Sequence, residues 1–196
     1  MTLDGAPAEA LWALAGAVVV AGGGGYLGVK AWRRRQSRRA LCAQMAAIST
    51  DYLHDVLLPD GNGESFHVDF LLFTGLGIVV VDLRDSPGLI YGSEQMNEWT
   101  VMDKSRRSTF PNPLGPLYDR MAAVRTLAGE GVPVDGRIVF TDRGSFPKGH
   151  PKAVTRLGSL ASELPPPTAG VALLSPAQPA WERVKQASSP SPLKRH

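Results

Sequence analysis

The sequence predicts an α/β domain, a mixed sheet flanked by helices, preceded by one N-terminal transmembrane helix. Three observations carry this reading. Ala10 to Val29 is a run of 20 residues without a charge. Two β-branched and aromatic stretches, Phe66 to Thr74 and Ile78 to Leu83, are separated only by Gly75-Leu76-Gly77. Beyond them helical and extended patterns alternate, as in a sheet covered by helices.

A helix of the Ala10–Val29 run, at about 1.5 Å per residue, matches the ~30 Å hydrocarbon layer. Trp12, Tyr26 and Trp32 fall near its ends, where interfacial aromatics sit. A cleaved signal peptide would carry basic residues ahead of the apolar run, but residues 1–9 hold Asp4 and Glu9 and no Lys or Arg. The positive charge follows instead: residues 30–39 contain Lys30, Arg33, Arg34, Arg35, Arg38 and Arg39 and no acid. The positive-inside rule then places the N-terminus outside and the remainder in the cytoplasm, a single-pass topology. The basic segment has two readings, contact with anionic lipid headgroups or with nucleic acid. Its position directly beside the span favours lipid.

Residues 40–165 form the expected soluble domain. Arg38 to Ser49 reads as a helix, with good helix formers and no breaker. Asp51 to Leu58 reads as extended and ends at Pro59, and Pro59 to Gly63 has turn composition. Phe66 to Thr74 and Ile78 to Leu83 are the two strong strands, and a short extended piece is expected around Trp99 to Met102. Leu117, Met121, Val124, Leu127 and Ala128 recur at helical spacing within Leu114 to Ala128, with Gly129 and Gly131 as the stop. Arg137 to Thr141 reads as a buried strand, Pro151 to Leu164 as a helix and Val171 to Leu174 as a last strand. Residues 166–196 are rich in Pro, Ser and Ala. They read as a mostly disordered tail with a short helix near Trp181 to Lys185.

Composition narrows the function classes. The formal net charge of +3 is uneven: residues 40–165 hold 11 basic and 15 acidic residues, a net −4. That balance weighs against a domain built for tight, sequence-independent duplex binding. Cys42 is the single cysteine, so an intrachain disulfide is excluded, and no Cys/His spacing suits structural zinc.

The two strong strands, taken as a hairpin turning on Gly75 and Leu76, bring acids together. Thr74 then faces Gly77, Asp69 faces Asp82, and His67 faces Arg84. Alternation puts these four on one face, and Val68, Phe70, Leu72, Val79 and Val81 on the other. Facing aspartates repel unless a cation, a shared proton or a basic neighbour compensates. A divalent ion is one solution; pairing of Asp69 and Asp82 with Arg84 or with backbone donors is the structural alternative. His67 reads as a strand-surface histidine rather than a ligand, Trp99 as a packing residue, and Asn112-Pro113 as the cap of the following helix.

Several motifs together resemble the nuclease-related domain (NERD) family. They are Phe66 to Phe73, the apolar strand into Asp82-Leu83-Arg84, Gly88 and Gly92, Trp99, Phe110-Pro111-Asn112-Pro113-Leu114 and Val139-Phe140-Thr141. The resemblance covers about residues 40–151 and implies a restriction-endonuclease-like mixed sheet. It implies that Asp69 matches a metal-binding Asp, and that Asp82 and Arg84 match the Glu and Lys of a Glu-x-Lys motif. The implied cofactor is Mg²⁺ or Mn²⁺, with Asp69 and Asp82 as ligands and phosphodiester hydrolysis as the reaction. Two of these three residues depart from the pattern. Asp is one methylene shorter than Glu, and an arginine stays protonated where a lysine can act as a base. The helical glutamate of the family has Gln44 as its nearest counterpart here.

Two functions follow as expectations. One is a membrane-tethered, metal-dependent nuclease using Asp69, Asp82 and Arg84. The other, favoured by the altered motif and the negative domain, is a non-catalytic or weakly active descendant that serves as a binding module at the inner membrane face.

Overall fold

The computed structural model describes residues 36–60, 63–164 and 171–192. The expected transmembrane helix at 10–29, and most of the basic segment at 30–39, lie outside the described residues. Among the described residues no helix is long and apolar enough to cross a membrane.

Residues 36–47 are helical (α1). The last turn of α1, from Gln44, belongs to the compact unit Gln44–Arg195, as do all later elements. Within that unit Met45 and Ile48 are buried. The Thr50 amide donates to the Phe73 carbonyl at 2.8 Å and starts the sheet.

The described strands form two sheets. The larger has six strands and contains β1 (Asp51–Pro59), β2 (Ser65–Thr74), β3 (Gly77–Arg84), and three more from later in the chain. The smaller has four and begins with β4 (Gly88–Tyr91), β5 (Glu98–Asp103) and β6 (Arg106–Pro111). Helix α2 (Leu114–Ala128) follows, then β7 (Val134–Phe140), β8 (Gly144–Ser145), β9 (Val154–Arg156), α3 (Leu157–Glu163), α4 (Val171–Ala187) and β10 (Ser189–Pro190). The large sheet runs β10-β1-β2-β3-β7-β9 and the small one β6-β5-β4-β8. In the large sheet β10 to β3 are antiparallel, whereas β7 and β9 add in parallel. The mixed α/β architecture is consistent with a restriction-endonuclease-like fold.

The expected hairpin forms with the assumed turn: Thr74 pairs with Gly77, and the register runs to Phe70 opposite Val81. Gly77 is required there because its φ is +112° and a Cβ would lie 2.2 Å from the Pro133 carbonyl oxygen. Helix α2 also forms as expected. Its Leu117 and Met121 sit against Gly136 of β7, where a Cβ would come within 2.4 Å of the Met121 sulfur. Gly129, at φ +77°, ends the helix by donating to the Arg125 carbonyl. Gly92 has a packing role: a Cβ would lie 2.1 Å from the indole of the fully buried Trp99.

Four expectations fail. The stretch Pro151 to Leu164 is not one helix. Its β-branched Val154 and Thr155 are buried and pair with Ile138 and Val139, and the helix begins only at Leu157. Val171 to Leu174 is helical rather than a strand. Residues 171–190 are not a disordered tail: α4 places Ala177, Ala180, Trp181 and Val184 in the core, and β10 pairs with β1. Pro176 and Pro179 lie inside this helix. Two interior prolines cost about 6 kcal/mol together; burying Trp181 returns about 3–5 kcal/mol, and the burial of Ala177, Ala180 and Val184 adds to it. Trp181 stacks on Phe73 with ring centroids 5.4 Å apart, and its indole N–H donates to Asp51 at 2.8 Å.

The fourth failure concerns the faces of the hairpin. Val68 does not share a face with Phe70 and Leu72 but packs in the core with Leu71 and Phe73. On β1, Leu53 packs against the same core as Val56 and Leu58. A spacing of three replaces two on both strands, so alternation reverses at Asp55 and Asp69. Asp55 carries the reversal with φ of 50°, in the left-handed region.

Candidate functional site

The β2–β3 ladder stops at Phe70 opposite Val81, and Asp69 lies just beyond its last pair. The next β3 amide that turns toward β2 is that of Leu83. It donates to Asp69 Oδ2 at 2.8 Å, so a side-chain carboxylate substitutes for a strand carbonyl. Such a substitution keeps a buried N–H satisfied where strands part. Beyond this point β3 stays paired in parallel with β7, through Asp82 opposite Ile138 and Arg84 opposite Phe140.

Asp82 is buried, and its Oδ2 receives two guanidinium groups. Arg84 Nη2 lies at 2.9 Å, the carboxylate contact expected of it, and Arg120 Nη1 at 3.2 Å. Arg120 comes from α2, and its Nε also donates to the His67 carbonyl at 2.8 Å. It therefore ties α2 to both β2 and β3. Sequence reasoning missed Arg120, although its position next to Leu117, Met121 and Val124 places a charge on the apolar stripe of that helix. Gln44, the nearest candidate that the resemblance offered for a helical glutamate, is exposed.

Asp69 also belongs to a second grouping. Asp55, His67 and Asp69 offer ligand atoms that all lie within 4.8 Å of one another, a candidate metal site of two carboxylates and an imidazole. The pairs His54–Phe70 and Val56–Val68 set Asp55 opposite Asp69 across the β1–β2 ladder. His67 lies between them, with Nε2 3.6 Å from Asp55 Oδ1 and Nδ1 3.6 Å from Asp69 Oδ1. Its side chain is 11% exposed, and Nε2 is buried without a hydrogen-bond partner. Asp55 was not singled out from the sequence, since nothing there marks a left-handed residue inside a strand.

Asp69, Asp82 and Arg84 thus gather where β2 and β3 part, but each carboxylate is already engaged. A divalent ion shared by Asp69 and Asp82 would compete with the Leu83 amide on one side and with two arginines on the other. Beside Arg84 opens a cleft of about 650 Å³, lined by Arg84, Asp85, Arg106, Arg107 and Phe110 among others. Asp85 is itself held by Arg143 at 2.7 Å and by the Thr141 hydroxyl at 2.6 Å. Arg106 and Arg107 of β6 are exposed. The motif residue Asn112 accepts from the Leu114 amide at 3.0 Å, and its own NH₂ reaches the Met96 carbonyl at 2.8 Å. It precedes Pro113, the N-cap residue of α2, engages the first helical amide and latches the loop before β5.

A mixed sheet with Asp69 in the middle of one strand and Asp82-Leu83-Arg84 at the end of the next is consistent with a nuclease-related α/β domain. The nuclease-related domain matches residues 34–141, more than half of the chain, and the chain belongs to that family. It is also 28% identical over 94 residues to an uncharacterized protein of Bacillus anthracis, a match covering 48% of this chain and 44% of that one. The match thus spans less than half the length of that relative. No solved structure matches.

Proposed function

We propose that this is a single-pass membrane protein whose nuclease-related domain binds a phosphodiester backbone at the inner membrane face and cuts it weakly or not at all. One observation carries the reading: Asp82 Oδ2 is held by both Arg84 and Arg120. In a metal-dependent site that carboxylate would bind Mg²⁺ or Mn²⁺. Here two permanent cations stand against it, and an arginine at position 84 supplies no base. The same arginine can hold a phosphate, and Arg106 and Arg107 line the same cleft. The net −4 of residues 40–165 makes such binding weak, and its reliance on arginine–phosphate contacts makes it weaken as salt rises. The uncharged run at 10–29 and the six basic residues after it support the anchor, the cytoplasmic placement and contact of residues 30–39 with anionic lipid.

The test uses the full chain in detergent micelles. A fluorescent single-stranded oligonucleotide should bind with anisotropy changes that weaken as salt rises, and Arg106→Ala with Arg107→Ala should weaken binding further. Plasmid and RNA incubated with Mg²⁺ or Mn²⁺ should stay largely intact. Equal binding by the arginine variant removes the cleft from the proposal. A reporter fused after His196 should be active only in the cytoplasm; activity only outside overturns the topology.

The alternative is a metal-dependent nuclease acting on DNA or RNA. It is favoured by the Asp55–His67–Asp69 cluster, which retains a candidate metal site beside the altered motif. Robust cleavage that is lost in Asp69→Ala would establish it.

A further inference from the structure

We infer that Asp55, His67 and Asp69 form a divalent transition-metal site on β1 and β2, which shares Asp69 with the β2–β3 acidic pair marked by the family motif but not Asp82. The inference rests on the β1–β2 geometry alone and holds whether or not the cleft binds a phosphodiester.

Three independent features meet at this point. The first is donor spacing. Two ligands at about 2.1 Å from a tetrahedral ion lie roughly 3.4 Å apart; His67 Nε2 stands 3.6 Å from Asp55 Oδ1, and one ligand atom from each of the three residues lies within 4.8 Å of the others. The second is His67 Nε2, buried without a hydrogen-bond partner and facing Asp55 Oδ1. A buried polar atom left so is costly, and a metal ion would satisfy it. The third is the backbone. Asp55 holds φ of 50° in the middle of a strand that is paired on both sides, with β10 joined through the Ser191 amide to its carbonyl at 2.9 Å. Strained residues of this kind gather at ligand sites. Here the strain coincides with the reversal of alternation that sets Asp55 opposite Asp69. Facing acids repel across a ladder; a cation between them converts the repulsion into ligation.

The donor set indicates the class of ion. An imidazole with two carboxylates suits Zn²⁺ or Mn²⁺. Mg²⁺ prefers an all-oxygen octahedral shell and sheds water reluctantly. The displaced site therefore predicts a metal preference different from that of an all-carboxylate one.

Isothermal titration of the chelator-stripped full chain tests this with ZnCl₂, MnCl₂ and MgCl₂. Zn²⁺ and Mn²⁺ should bind at one per chain, and Mg²⁺ about tenfold or more weaker. Asp55→Asn keeps a residue type that tolerates the left-handed region, and His67→Gln keeps bulk and polarity. Each should weaken Zn²⁺ binding about tenfold or more, with circular dichroism confirming the fold. Asp82→Asn should leave Zn²⁺ affinity within about threefold, a small change beside the loss expected on removing a metal partner. The reverse pattern, loss in Asp82→Asn and retention in Asp55→Asn, overturns the assignment, as does a folded unmodified chain that takes up neither Zn²⁺ nor Mn²⁺. A readout independent of variants is Mn²⁺ broadening of histidine ring signals in the unmodified chain. It should reach His67 first, and broadening centred on another histidine overturns the site.

Discussion

Arg120 joins helix α2 to two strands at once, with Nη1 3.2 Å from the Asp82 carboxylate and Nε 2.8 Å from the His67 carbonyl. The arginine side chain at Asp82 is therefore doubled, and the second one arrives from a helix 36 positions further along the chain than Arg84. Removing it should be felt in stability. Arg120→Met keeps the aliphatic stem but strips one counter-charge from a carboxylate that is 8% exposed. Arg84, 38% exposed, remains as partial compensation. The expected cost is about 1–3 kcal/mol by urea unfolding. Asp82→Asn should cost less in the Arg120→Met background than alone, because the two share one interaction. Strict additivity in this cycle would show that the contact carries no coupling energy.

The C-terminal helix should prove integral to the domain. Trp181 is fully buried, stacked on Phe73, and bonded to Asp51. Trp181→Ala should cost about 3–5 kcal/mol, and a chain ending before Val171 should also expose the β1 edge that β10 covers. Limited proteolysis and denaturant melts of the truncated chain decide the point. An unchanged midpoint would mean that α4 merely rests on the domain.

This helix also shows what was legible in the sequence and what was not. The hairpin of β2 and β3 could be read, turn included, because β-branched residues and the Gly75-Leu76-Gly77 break are local signals. Helix α2 could be read because its apolar period is intact and Gly129 stops it. In α4 the period is present too, in Ala177, Ala180, Trp181 and Val184, but Pro176 and Pro179 masked it, and tertiary burial overrode propensity. Val154 and Thr155 were drawn into a strand by a neighbouring edge that no local pattern reveals. The site was half legible. The neighbourhood of Asp69, Asp82 and Arg84 could be read from the hairpin, although the ladder ends at Phe70 opposite Val81, before the expected Asp69–Asp82 pair; Asp55 and Arg120 arrive from other elements, and the reversal of faces at Asp69 depends on a backbone angle at Asp55.

Asp51 gives the stability a dependence on acid. Burial alone would raise its pKa, but the Trp181 indole N–H, Lys185 and the Tyr52 amide outweigh that and hold it below its ordinary 3.8. A carboxyl with a depressed folded-state pKa adds stability that is present above the unfolded pKa and is lost as pH falls through the folded value. The loss attributable to Asp51 should therefore fall below about pH 3.8, and Asp51→Asn should flatten that part of the stability curve. The side chain is 44% exposed, so solvent screening keeps the effect small. Urea midpoints of both proteins across acidic pH measure it; parallel curves would remove Asp51 from the account.

Restoring the family motif should not by itself restore a metal position between β2 and β3. Asp82→Glu with Arg84→Lys recreates the Glu-x-Lys pattern, yet in this fold it removes only one of two guanidinium groups. Arg120 would still face the carboxylate from α2, and a cation there opposes a second cation directly. The double variant should therefore gain little Mn²⁺ affinity at the β2–β3 position. Adding Arg120→Met removes the remaining arginine. The carboxylate introduced at position 82 could then share an ion with Asp69, and the amine introduced at position 84 can shed a proton where an arginine does not. The comparison belongs in an Asp55→Asn background, so that uptake at the β1–β2 cluster does not obscure it. Mn²⁺ titration should then rank the triple variant above the double, and any plasmid nicking should emerge only in the triple. Equal Mn²⁺ uptake by double and triple would show that Arg120 does not block the position, and strong Asp69-dependent nicking by the unmodified chain would show that its two arginines never silenced it.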